Sequence, residues 1–152
     1  MAPNDITPGA HYTISPAMPM APLLSVLSNG QIGVVPRMGR DDAPENLWRF
    51  FPASGEDPNI FNLFNRKAGE DKALAIDPGS RTVELQGRSG RDEQKWLVIP
   101  VHSGGGFPSY RLSNLAAGDS ISLELGDEGK VVLGHEGGVP FKWVLNRMGE
   151  DD

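Results

Sequence analysis

Three tryptophans, Trp48, Trp96 and Trp143, punctuate the 152-residue chain at intervals of 48 and 47 residues. Each sits in the same setting, with polar residues before it and apolar ones after: Asn46-Leu47-Trp48-Arg49-Phe50-Phe51, Gln94-Lys95-Trp96-Leu97-Val98-Ile99 and Phe141-Lys142-Trp143-Val144-Leu145. A fixed offset of 49 residues superposes the first half of each interval. Tyr12, Phe61 and Tyr110 then coincide, as do Ile14, Leu63 and Leu112. So do Leu27, Ile76 and Leu125, and Val34, Val83 and Val132. Four apolar columns in one register mark an internal repeat. A repeat of this length is a supersecondary unit that buries its apolar face only by packing on its neighbours.

Each unit opens with an aromatic-x-aliphatic strand. A second strand follows at 23–27, 73–76 and 120–125. Next come tight turns: Ser28-Asn29-Gly30, Asp77-Pro78-Gly79 and Gly126-Asp127-Glu128-Gly129. Asn-Gly and Pro-Gly are turn dipeptides because glycine accepts positive φ. A third strand is predicted at 32–35, 82–85 and 130–133, then a looser loop, then the tryptophan strand. The 19 glycines and 13 prolines are spread between short apolar runs, which predicts many turns and almost no helix. The expectation is one all-β domain over 1–152, with repeats 10–58, 59–107 and 108–152 and four strands in each. Three copies around an axis can close a sheet into a capped barrel and remove its edges, whereas a propeller uses more than three blades.

Charge and residue usage narrow the function classes. The net charge of −6 repels phosphate backbones and anionic lipid, so nucleic acid is not an expected partner. No apolar run approaches the ~18 residues of a membrane span, and the first residues form no signal peptide. A cytoplasmic location without membrane insertion is the expectation. With no cysteine, disulfides and thiolate chemistry are absent. His11, His102 and His135 are isolated and are expected at the surface; no metal site and no cofactor is predicted. No nucleophile elbow is present, and Gly104-Gly105-Gly106 opens no helix that could cradle a phosphate. The chain is expected to bind rather than to catalyse.

The Q-x-W signature is complete in Gln94-Lys95-Trp96, conservative in Asn46-Leu47-Trp48 and reduced to the tryptophan in Phe141-Lys142-Trp143. With three four-stranded units and the opening Ile6-Thr7-Pro8-Gly9-Ala10-His11-Tyr12-Thr13-Ile14, the chain resembles the β-trefoil proteins of small fungal ricin-B-like lectins and related protease inhibitors. The resemblance covers essentially the whole chain. It implies a β-trefoil and two candidate functions. In the ricin-like lectins a carboxylate at the end of a unit's second strand accepts hydrogen bonds from neighbouring sugar hydroxyls, and an aromatic ring covers the sugar's C–H face. The aligned positions here are Ser28, Asp77 and Gly126, so only the middle unit keeps an acid. The lectin reading therefore assigns carbohydrate binding to Asp77, Gln86 and Gln94, with a glycan as partner. Val83-Glu84-Leu85-Gln86 supplies no stacking aromatic, and Glu93 stands where an Asn is expected.

The alternative is an inhibitor of serine or cysteine proteases, whose partner would be the target enzyme. A rigid exposed loop can enter a protease cleft with little entropy left to lose. Two loops qualify. One is Ser28-Asn29-Gly30-Gln31, whose Asn29 would suit a protease that cleaves after Asn. The other is the proline-stiffened 15–22, which carries Met18 and Met20.

Overall fold

The computed structural model describes residues 6–16, 22–28, 30–36, 43–53, 59–69, 71–77, 79, 82–101, 109–117, 121–125, 131–134 and 142–148. Within them the first unit holds β1 (His11–Pro16), β2 (Leu23–Val26), β3 (Ile32–Val35) and β4 (Trp48–Pro52). The second holds β5 (Ile60–Asn65), β6 (Lys72–Ile76), β7 (Val83–Gly87) and β8 (Trp96–Val101). The third holds β9 (Ser109–Asn114), β10 (Ser122–Leu125), β11 (Val131–Gly134) and β12 (Trp143–Arg147). Single 3-10 turns, Pro44–Asn46 and Asp92–Gln94, precede β4 and β8. The twelve strands and the absence of α-helix among the described residues are the all-β architecture expected from the repeat.

Six strands close a barrel. Its order is β1, β4, β5, β8, β9, β12, with β12 returning to β1, and every pairing is antiparallel. The other six form hairpins, β2–β3, β6–β7 and β10–β11. The third strands of the hairpins, β3, β7 and β11, meet one another and cap the barrel. Closure leaves none of the six barrel strands as an open edge.

The core shows why the tryptophans recur. Trp48, Trp96 and Trp143 open their strands with no exposed surface. Each lies opposite the aromatic that opens its unit, Tyr12, Phe61 or Tyr110. Ile14, Leu63 and Leu112 form the adjoining layer, also fully buried. A buried indole N–H needs an acceptor. Here Nε1 donates to the carbonyl of Leu24 at 3.0 Å, of Leu74 at 2.9 Å and of Leu123 at 2.9 Å. Each tryptophan thus stitches a barrel strand to its own unit's hairpin.

Those stitches also correct two of the four columns. Leu24, Leu74 and Leu123 are equivalent, so Val26, Ile76 and Leu125 share the position two residues on, and Leu27 does not. The strand partners agree: Val26 faces Ile32, Ile76 faces Val83 and Leu125 faces Val131. Val34, Val83 and Val132 are therefore not one column: Val83 is 6% exposed in the core, whereas Val132 is 38% exposed. The cause is loop length. The connection from first to second strand is one residue shorter in the first unit, and the hairpin turns differ as well. Leu27 N–H donates to the Gln31 carbonyl across three residues, and Asp77 N–H to the Thr82 carbonyl across four.

Candidate functional site

The turn-closing bonds place Leu27, not Ser28, at the position equivalent to Asp77. The first unit presents an aliphatic residue there. The middle hairpin alone among the described residues carries an acid at that point.

Asp77 is half-buried at the exit of β6. Its Oδ1 accepts the Gly79 N–H at 3.0 Å, the local capping expected of an Asp before Pro-Gly. This bond fixes the carboxylate, and Oδ2 takes no hydrogen bond from the described residues. Gln86, on β7, is also half-buried, and its Nε2 donates to the Ile76 carbonyl at 3.1 Å. The same Nε2 donates to Glu84 Oε2 at 2.9 Å. Glu84 and Gln86 are two residues apart on one strand and so share a face. Their strand partners are Ala75 and Ala73, both fully buried. The sequence reading singled out Asp77 and Gln86 but passed over Glu84; the alternation Glu84-x-Gln86 on a predicted strand is the signal that could have found it. The structure brings these three side chains onto the middle hairpin as a pinned row of oxygens and one amide.

Gln94 does not join them. It closes the 3-10 turn at 1% exposure, and both ends of its amide are engaged by backbone. Oε1 accepts the Ser89 N–H at 2.9 Å, and Nε2 donates to the Gly87 carbonyl at 2.7 Å. Its assignment to sugar contact is corrected on this geometry. Gln94 clamps the chain leaving β7 and has no free polar atom to offer. No aromatic lies on the hairpin strands. The guanidinium of Arg88, just beyond β7, instead lies 5.0 Å from the centre of the Phe64 ring.

In the first unit's turn, Ser28, Gly30 and Gln31 are exposed and Gly30 holds φ +86°. Asn29, Met18 and Met20 lie outside the described residues, as do His102 and His135. His11 is not a surface residue: it is 5% exposed on β1, and its Nε2 accepts the Arg49 Nε–H at 2.9 Å. Among the described residues no group of three or more His, Asp or Glu side chains could hold a metal, and no helix is long and apolar enough to cross a membrane.

No protein-family model matches the sequence, and no curated protein matches it. Solved structures do match. The BEL beta-trefoil superposes with a TM-score of 0.75 at 13% identity, covering 97% of this chain and 99% of that one. The designed 3-fold symmetric protein ThreeFoil gives 0.70 at 20% identity, covering 91% and 99%. The Polyporus squamosus lectin, bound to a human-type influenza-binding epitope, gives 0.68 at 20% identity over 94% of this chain, which spans 50% of the lectin's length. A closed six-stranded barrel, three capping hairpins and these superpositions make the molecule a β-trefoil.

Proposed function

We propose that this protein binds carbohydrate through the middle hairpin and acts by binding rather than by catalysis. The observation that carries the reading is the pinned row of Asp77, Glu84 and Gln86. Sugar hydroxyls are donors and acceptors held at fixed spacing. A carboxylate fixed by its own turn can accept from two of them without ordering first. The Polyporus squamosus lectin, which shares this fold, is bound to a saccharide epitope. That supports the reading without locating the site here.

The arrangement also sets the expected strength and number of sites. With Leu27 and Gly126 at the equivalent positions of the other units, one site per chain is expected. Without a stacking ring, the site lacks a contact commonly worth about 0.5–1.5 kcal/mol beyond its buried area. Affinity for a simple neutral monosaccharide should therefore be weak, and a larger glycan should bind better. Titration calorimetry with the best hit of a glycan array tests this. Asp77→Ala should abolish binding and leave the unfolding midpoint nearly unchanged; equal affinity in both proteins would remove Asp77 from the site. A protease panel assayed beside it addresses the inhibitor alternative, for which the exposed Ser28, Gly30 and Gln31 are the supporting feature. Inhibition lost in Asn29→Ala would install that reading, and full activity of every protease would dismiss it.

A further inference from the structure

A second polar feature lies where β4 meets the turn that follows β5. Arg49, Phe64, Asn65, Arg66 and Gly69 line a cleft of about 110 Å³ there. Arg49 and Phe64 are strand partners across β4 and β5. The turn itself is rigid. Asn65 is 1% exposed, its Oδ1 accepts the N–H groups of Lys67 at 3.0 Å and Ala68 at 3.3 Å, and its Nδ2 donates to the Glu45 carbonyl at 3.0 Å. The Arg66 N–H donates to the Leu47 carbonyl and the Gly69 N–H to the Asn65 carbonyl, both at 2.9 Å. Every backbone donor from 66 to 69 is thus spent within the fold, and the character of the cleft is set by its side chains. Gly69 holds φ +86° with open space where a side chain would stand, which keeps that wall low.

Two of the five lining residues are arginines, in a chain whose net charge is −6, and one of them, Arg49, donates its Nε–H to His11. Arg66 is exposed and forms no ion pair with the described residues. Arg88, which does not line the cleft, lies over the Phe64 ring and likewise forms no ion pair with the described residues. A guanidinium presents a planar fork that matches an oxyanion. The cleft is open to solvent, so a carboxylate or sulfate can enter it while the rest of the saccharide stays outside. We infer that the cleft between β4 and the 66–69 turn receives the charged group of an acidic saccharide, a site separate from the Asp77 hairpin. The inference rests on the carbohydrate-binding reading and specifies a class of glycan within it. Opposite charge separates the two sites: an anion suits the arginines and is repelled by Asp77 and Glu84.

Amide spectra of the full chain at low ionic strength decide it, titrated separately with methyl glucuronide, the neutral methyl glucoside and inorganic sulfate. The glucuronide should shift the amides of residues 66–69, and the glucoside should not. Arg66→Ala should weaken glucuronide binding about tenfold or more, as loss of a charge-assisted contact does. Arg66→Lys should fall between, because it keeps the charge and loses the fork. Arg66 is exposed and contributes only its backbone to the turn, so these variants should fold. Asp77→Ala should leave this titration unchanged. No shift at 66–69, or equal glucuronide affinity in wild type and Arg66→Ala, overturns the site. Sulfate binding as tightly as the glucuronide overturns the saccharide assignment. Neutral-glycan binding that depends on Asp77 would survive either result, so failure of this site is distinguishable from failure of the hairpin reading.

Discussion

Each tryptophan does two jobs, filling the barrel and donating one hydrogen bond, and substitution can separate them. Trp96→Phe keeps most of the ring and deletes the donor to the Leu74 carbonyl. A buried acceptor left without its partner costs about 1–3 kcal/mol. Trp96→Ala removes the ring as well and should cost about 3–5 kcal/mol. Denaturant unfolding should rank wild type, Phe and Ala in that order; a Phe variant as stable as wild type would mean that the indole N–H contributes nothing. The burial of these residues was legible in their spacing, because a large apolar side chain recurring once per unit has few places to go. The fate of Gln94 was not. A sequence does not show whether an amide faces solvent or backbone, and here Ser89 and Gly87 take both of its ends.

Hairpins and their turns are where the repeat stops being exact. One residue fewer before β2 and one more in the β6–β7 turn move the valines and the turn acid out of a fixed 49-residue offset. Side-chain direction alternates along a strand, so a slip of one residue exchanges core for surface. The offset could therefore place β1, β5 and β9, and the tryptophan spacing β4, β8 and β12, while the offset misplaced Leu27, Ser28 and Val132. At this scale Gln94 makes a prediction opposite to that for Asp77. Gln94→Ala releases the chain leaving β7 and should cost about 1–3 kcal/mol in stability, since two part-buried side chain–backbone hydrogen bonds are lost. Asp77→Ala should cost binding and little stability. Calorimetric binding and denaturant midpoints measured on both variants would show the two patterns; a Gln94 variant with unchanged stability would mean that the clamp is idle.

Closure of the barrel makes the units depend on one another. β5 pairs with β4 of the first unit, β9 with β8 of the second, and β12 with β1 across the seam. A fragment of residues 59–107 would expose two strand edges and an uncovered apolar face, so it should show neither dispersed amide signals nor a cooperative melt. The intact chain should give a far-ultraviolet dichroism spectrum with little helix and a single cooperative transition. A folded fragment would mean that one unit is self-sufficient. Closure was foreseeable from three copies of an edge-exposing unit; the outer surface was not, because the cleft at Arg49 and Arg66 depends on neighbours brought together only by the fold. The indole stitches have one further effect. Their acceptors are main-chain carbonyls, which every residue type supplies alike. The barrel therefore holds its hairpins without dictating the side chains at their tips. Acid, aliphatic and glycine can occupy the same point in three copies, and a tip can gain or lose a ligand by mutation while the scaffold beneath it stays under unchanged selection.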